Sequence, residues 1–251
     1  HTEHERGDPR IERARGGGGG FGHNAVHRLE PASVLLDWNG LSSFEWLFEH
    51  VHSHHMHVNT LHDHDAISMR PFLHWLRADG PGLLGARGKH LVYAVGELAV
   101  AAQGTLGHRF RWLPLRDGRF PWHLRLAPFA FVLRVLSHLL VQGVWVGGVS
   151  LLLSLAFASY YFGYLAHLSH AAPDAKPVDG DFVAQQTCNT ADVDVPSAGR
   201  HLALHLDRQV GHHLFPAVDH SRLPALEPVF RAWREQLGLA ELHRRVNRVL
   251  R

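Results

Sequence analysis

The sequence predicts an all-α fold embedded in a membrane, with a helical hairpin in the bilayer and a histidine-rich cap on one side. Two observations carry this. Residues 127–166 form the one strongly apolar region of the 251-residue chain. On both sides of it lie polar segments in which histidines recur three and four residues apart, the spacing that stacks side chains on one helix face.

A bilayer core needs roughly 20 helical residues per crossing. The 40 residues of 127–166 therefore fit two helices, and Gly147-Gly148 is the expected turn between them. Arg134, toward the start of the first helix, is expected to snorkel to the interface. Residues 91–107 are moderately apolar but contain Glu97 and Gln103, and are expected to lie in the interface. The loop 108–125 holds Arg109, Arg111, Arg116, Arg119 and Arg125, and Arg87 and Lys89 flank the other end of 91–107. Basic loops stay cytoplasmic, so both ends of the hairpin are expected on that face. The rival arrangement, 91–107 as one span and 130–166 as one long tilted span, puts five arginines outside.

Residues 1–20 are charged and end in five glycines, and are expected to be disordered. Residues 21–230 form the main domain and 231–251 a C-terminal helical tail, with apolar residues at helical spacing from Leu223 to Leu250.

The chain has 24 histidines against 25 Lys+Arg and 23 Asp+Glu, with a net charge of +2. Basic residues form no stripe with interleaved aromatics, so no nucleic-acid partner is expected. A single cysteine, Cys188, excludes an intrachain disulfide and a cysteine-based zinc site. Histidine is the commonest transition-metal ligand, and neutral imidazole suits iron, zinc and copper.

The histidines cluster. His23 and His27 are four apart and can grip one ion from one helix, and His50 and His54 repeat the spacing. His55 points about 100° away from His54 on a helix, so an adjacent pair can serve two different ions. His212-His213 repeats that device, with Gln209 three residues ahead. His62, His64, His74, His90 and His123 fit no such pattern and are read as surface histidines.

These clusters resemble the three histidine boxes of membrane fatty acid desaturases, most closely the branch of front-end desaturases and cytochrome b5-related proteins. The first box is Gly22-His23-Asn24-Ala25-Val26-His27, the GHNxxH form of that branch. The second has Glu45-Trp46 upstream, then His50, His54, His55 and Asn59. The third, Gln209-Val210-Gly211-His212-His213-Leu214-Phe215-Pro216, continues through Asp219-His220 and Leu223-Pro224-Ala225-Leu226. The resemblance runs from about Gly22 to Phe230. It implies a desaturase-like helical fold and a centre of two iron ions held by His23, His27, His50, His54, His55, Gln209, His212 and His213. His167 and His170, at the end of the hairpin, stand where the family places a further ligand motif. His205 and Asn59 are second-sphere candidates.

The resemblance further implies O2-dependent insertion of a double bond into a fatty acyl lipid or acyl-CoA. A lipid hydroxylase with the same kind of centre, or a non-catalytic desaturase-like membrane protein, is the alternative. The 251 residues contain no HPGG motif of a fused cytochrome b5 domain, so the implied cytochrome b5 or ferredoxin-type donor is either separate or carried by an N-terminal part not among these residues. The implied location is an integral membrane one, the endoplasmic reticulum in a eukaryote or the inner membrane in a bacterium. Family members carry a further hairpin ahead of the first box, so the chain is expected to be truncated at its N-terminus.

Overall fold

The computed structural model describes residues 21–67, 112–170, 181–193 and 206–238. Among them every regular element is helical. The expectations for 1–20, for 91–107, for the tail beyond 238 and for Arg109 and Arg111 of the basic loop lie outside the described residues.

The hairpin consists of α7, Trp122–Gln142, and α8, Val144–His170. It corrects the sequence reading in two places. The reversal falls at Gly143, not at Gly147-Gly148. Gly143 has φ 78°, in the left-handed region that glycine enters without strain. Gly147 is already inside α8, where a Cβ would overlap the backbone carbonyl of His138. Its lack of a side chain lets the two helices approach closely just past the turn. Gly148 faces open space. Gly147→Ala is therefore expected to destabilise the hairpin by roughly 1–3 kcal/mol, the cost of overpacking. Gly148→Ala should be neutral or slightly stabilising, because alanine favours the helix. Thermal unfolding of the two variants checks this, and equal stability would contradict it.

The second correction concerns Arg134. It does not snorkel; it is buried and faces the protein. Its guanidinium donates to the Trp38 carbonyl at 2.8 Å, to Asn39 Oδ1 at 3.0 Å and to Ser154 Oγ at 2.7 Å. One turn on, His138 Nδ1 lies 2.9 Å from Ser150 Oγ, which donates to Gln142 Oε1 at 2.7 Å. The pairs 134–154 and 138–150 fix an antiparallel register. Trp38 and Asn39 end the short helix α2, Val34–Trp38, which packs along α7. The guanidinium thus ties the first-box segment to the hairpin.

Ahead of α2 lie α1, Phe21–His27, and a 3-10 turn, Pro31–Ser33. Helix α3, Ser43–Trp46, opens on a Ser-x-x-Glu sequence, with Ser42 Oγ accepting from the Glu45 N–H at 3.3 Å. It continues into a π-helical stretch, Leu47–His54, and then α4, His55–His57. Helix α5 is His64–Ile67 and α6 is Leu113–Arg116. Beyond the hairpin come α9, Phe182–Asn189, capped by Asp181, then α10, Gln209–Leu214, and α11, Leu223–Gln236. Gly211 allows α10 to pack against the Phe230 ring, where a Cβ would sit only 3.1 Å from a ring carbon. Helix α11 runs through the boundary at 230, with Arg234 buried and bonded to Glu227 at 2.8 Å. His123, read as a surface histidine, is buried at the start of α7, whereas His62 and His64 are exposed.

Candidate metal centre

The helices bring the histidine clusters together into two adjacent groups. In the first, one nitrogen each of His23, His27, His50, His55 and His212 lie within 4.8 Å of one another. The second consists of His54, His170 and His213, on the same criterion of 4.8 Å. The adjacent pairs are split between the groups: His54 from His55, and His212 from His213, their rings steeply inclined at 85° and 82°. The groups touch through His55 and His213, stacked at 4.2 Å.

The π-helical stretch changes one pairing. An α-helix aligns His50 with His54, but a π turn takes in an extra residue and aligns i with i+5. His50 Nε2 accordingly lies 3.2 Å from His55 Nε2 and 2.8 Å from His23 Nε2. His50 still stacks on His54 at 5.0 Å, and those two with Asp65 form an overlapping third group.

Burial sets the electrostatics. His23, His50, His54, His55, His212 and His213 are between 0 and 7 % exposed. Desolvation, followed by repulsion among neighbouring imidazoles, holds His23, His50, His55, His212 and His213 well below the usual histidine range. The same causes bring His27 down to about 3. Neutral imidazole is the form that binds a metal. His54 differs. Burial lowers it, but Asp63 and then Asp65 outweigh burial and raise it. Asp63 is held down by His54 and by the Asn59 and Ala66 N–H groups, against its own burial.

The residues fit a metal. Both ring nitrogens of His27 and His212, Nδ1 of His55 and Nε2 of His213 are buried with no hydrogen-bond partner among the described residues. Such atoms cost roughly 1–3 kcal/mol each when left unsatisfied. Lone pairs directed at an ion remove that cost. The donor set, nitrogen-rich and without cysteine, suits iron, copper or zinc.

The remaining expected site residues fall as follows. Gln209 is buried at the start of α10, and its Oε1 has no hydrogen-bond partner among the described residues. Asn59 adopts φ 56°, a conformation asparagine tolerates, and its side chain donates to the carbonyls of His170 at 2.9 Å and Asn189 at 2.7 Å. His205 and the side chain of His167 lie outside the described residues. His52 and His57, interleaved with and following the second-box ligands, are exposed.

Sequence reading missed four residues. Asp63 lies 3.0 Å from His54 Nδ1, and Asp65 lies 3.1 Å from His50 Nδ1. An acidic pair closely following a ligand run was the available signal, although it reads equally well as a polar turn. His220 is 1 % exposed, its ring 4.2 Å from that of His212 and 5.2 Å from that of His23. Gln186 Oε1 accepts from His213 Nδ1 at 2.9 Å. It had no local signal, standing 27 residues from its partner in a segment without histidines.

Residues 13–245 match the fatty acid desaturase family, and the chain belongs to that family. It is 24 % identical over 254 residues to an acyl-lipid (7-3)-desaturase of Rebecca salina, covering 88 % of this chain and 55 % of that one. An acyl-lipid (8-3)-desaturase of Physcomitrium patens is 29 % identical over 220 residues, covering 77 % of this chain and 45 % of its own. A cytochrome b5-related protein of Drosophila melanogaster is 27 % identical over 221 residues, covering 82 % and 50 %. The chain spans about half the length of these relatives.

Proposed function

We propose that this chain carries the catalytic centre of a di-iron, O2-dependent membrane lipid desaturase that introduces a double bond into a fatty acyl chain. The observation that carries the reading is the division of two adjacent histidine pairs between two touching groups of ligand nitrogens. One ion in each group would be held by His23, His27, His50, His55 and His212, and by His54, His170 and His213. His167 and Gln209 are proposed as further ligands, and Asn59 and His205 as residues that steady them.

Iron, when bound, supplies the redox chemistry that O2 activation demands and that zinc cannot provide. The balance is one saturated C–C bond, O2, two electrons and two protons converted to one C=C bond and two waters. The chain's own contribution is to hold His23, His27, His50, His55, His212 and His213 neutral by burial, to orient His50 and His54 through Asp65 and Asp63, and to exclude bulk water. Cytochrome b5 or a ferredoxin-type donor is the proposed source of electrons. The substrate is proposed to be an acyl lipid or acyl-CoA, in keeping with the names of the desaturases it resembles.

The hairpin supports the proposed membrane location. Among the described residues α7 is long and apolar enough to cross a bilayer, and α8 opens on an apolar stretch, Val144–Ala158. At 21 residues α7 spans about 31 Å, close to the roughly 30 Å of a bilayer core. Leu140, Val141, Val144, Trp145, Val149, Leu152 and Leu153 are exposed around the turn, where lipid would cover them. We propose that all the boxes and both hairpin ends lie on the cytoplasmic face, with Gly143 toward the other. The membrane would be the endoplasmic reticulum in a eukaryote or the inner membrane in a bacterium. Residues 21–230 would form the desaturase-like domain.

Expression with a reducing donor, followed by analysis of product lipids, tests the activity. Products two hydrogens lighter support it. Hydroxylated products would replace desaturation by hydroxylation, and no product from iron-loaded, reduced protein would overturn both.

A further inference from the structure

We propose that Gln186 is a positioning residue that fixes the tautomer of His213 and thereby holds the second histidine group in its metal-binding form. The inference rests on the metal-centre reading above. Gln186 is 0 % exposed, on α9, a helix that carries no histidine. Its side chain makes two hydrogen bonds to two different boxes. The amide N–H donates to the His55 carbonyl at 2.9 Å, and Oε1 accepts from His213 Nδ1 at 2.9 Å. The first bond determines the second. With the amide nitrogen committed to a carbonyl, which can only accept, the oxygen is what meets the ring. The imidazole proton must then sit on Nδ1, and the lone pair on Nε2. That Nε2 is buried with no hydrogen-bond partner among the described residues, so it is the nitrogen left for an ion.

The rest of α9 supports a holding role. Asn189, one turn beyond Gln186, donates through Nδ2 to the Val58 carbonyl at 3.0 Å. Its own carbonyl accepts from Asn59, which also donates to the His170 carbonyl. One helix face therefore joins the segments that contribute His54, His170 and His213. The two oriented ligands of this group also differ in kind. His54 leans on a carboxylate, Asp63, and His213 on a neutral amide. Gln186 thus orients its histidine without adding negative charge beside the ion.

The test is Co²⁺ titration of the metal-free full chain, read by the visible ligand-field bands, for wild type, Gln186→Leu and Gln186→Glu. Leucine keeps the volume and loses both hydrogen bonds. Glutamate keeps an acceptor for Nδ1–H. Loss of such an outer partner typically weakens metal binding about 10–100-fold. Gln186→Leu is expected to weaken one of two Co²⁺ sites to that extent and leave the other unchanged. Gln186→Glu should retain both sites, with the bands of one shifted. Unchanged affinity and spectrum in Gln186→Leu would overturn the proposal. So would equal weakening in both variants, because packing alone would then account for it. If Gln186→Leu does not fold, Gln186→Glu decides: a site weakened tenfold or more there overturns the proposal, and retention with shifted bands supports it. Wild type that binds no Co²⁺ would overturn the metal-centre reading, and this inference with it.

Discussion

His212→Ala and His213→Ala are each expected to abolish lipid oxidation. Each removes a fully buried imidazole from a different histidine group. Outer partners of a metal typically contribute about 10–100-fold, and loss of a direct ligand should exceed that. Membrane insertion should be unaffected, since both residues lie on α10, outside the hairpin. His52→Ala and His57→Ala are the controls. Both sit within the second histidine run, yet both are exposed, and their activity should stay near wild type. Product-lipid analysis of the four variants at equal expression measures this. Comparable loss in all four would mean that position relative to the two groups carries no information.

Arg134→Leu is expected to cost about 3 kcal/mol, since charge-assisted hydrogen bonds contribute roughly 1.5–3 kcal/mol each. It removes the donor from the Trp38 carbonyl, Asn39 Oδ1 and Ser154 Oγ at once. For a chain of this size that corresponds to a Tm lowered by roughly 6–12 °C. Arg134→Lys should fall between the two, because a single ammonium does not reproduce the guanidinium fork. Thermal unfolding in detergent provides the comparison. A Tm unchanged in Arg134→Leu would show that the guanidinium does not tie α2 to the hairpin.

The helical hairpin was legible because its signal is compositional: a largely apolar stretch of 40 residues with one arginine can bury itself in only a few ways. Its turn was not, because glycine serves two purposes. Gly143 supplies a positive φ and Gly147 a close helix approach, and a pair of glycines attracts the eye more than a single one. Arg134 was misjudged for a related reason. Sequence shows a charge in an apolar run but not the acceptors that a distant helix brings to it. The histidine clusters were visible as spacings. The pairing of His50 with His55 was not, because it depends on a π turn that the spacing itself does not announce. Gln186 lay further beyond reach, since its contacts to His55 and His213 arise only when three separate segments meet.

In the proposed centre, residues from separate boxes hold two iron ions side by side. Metal analysis of purified, active protein is the decisive measurement. Iron near two per chain is the result predicted by two nitrogen-rich groups with buried, unsatisfied ring nitrogens. Tight, stoichiometric zinc with no iron in active protein would contradict it.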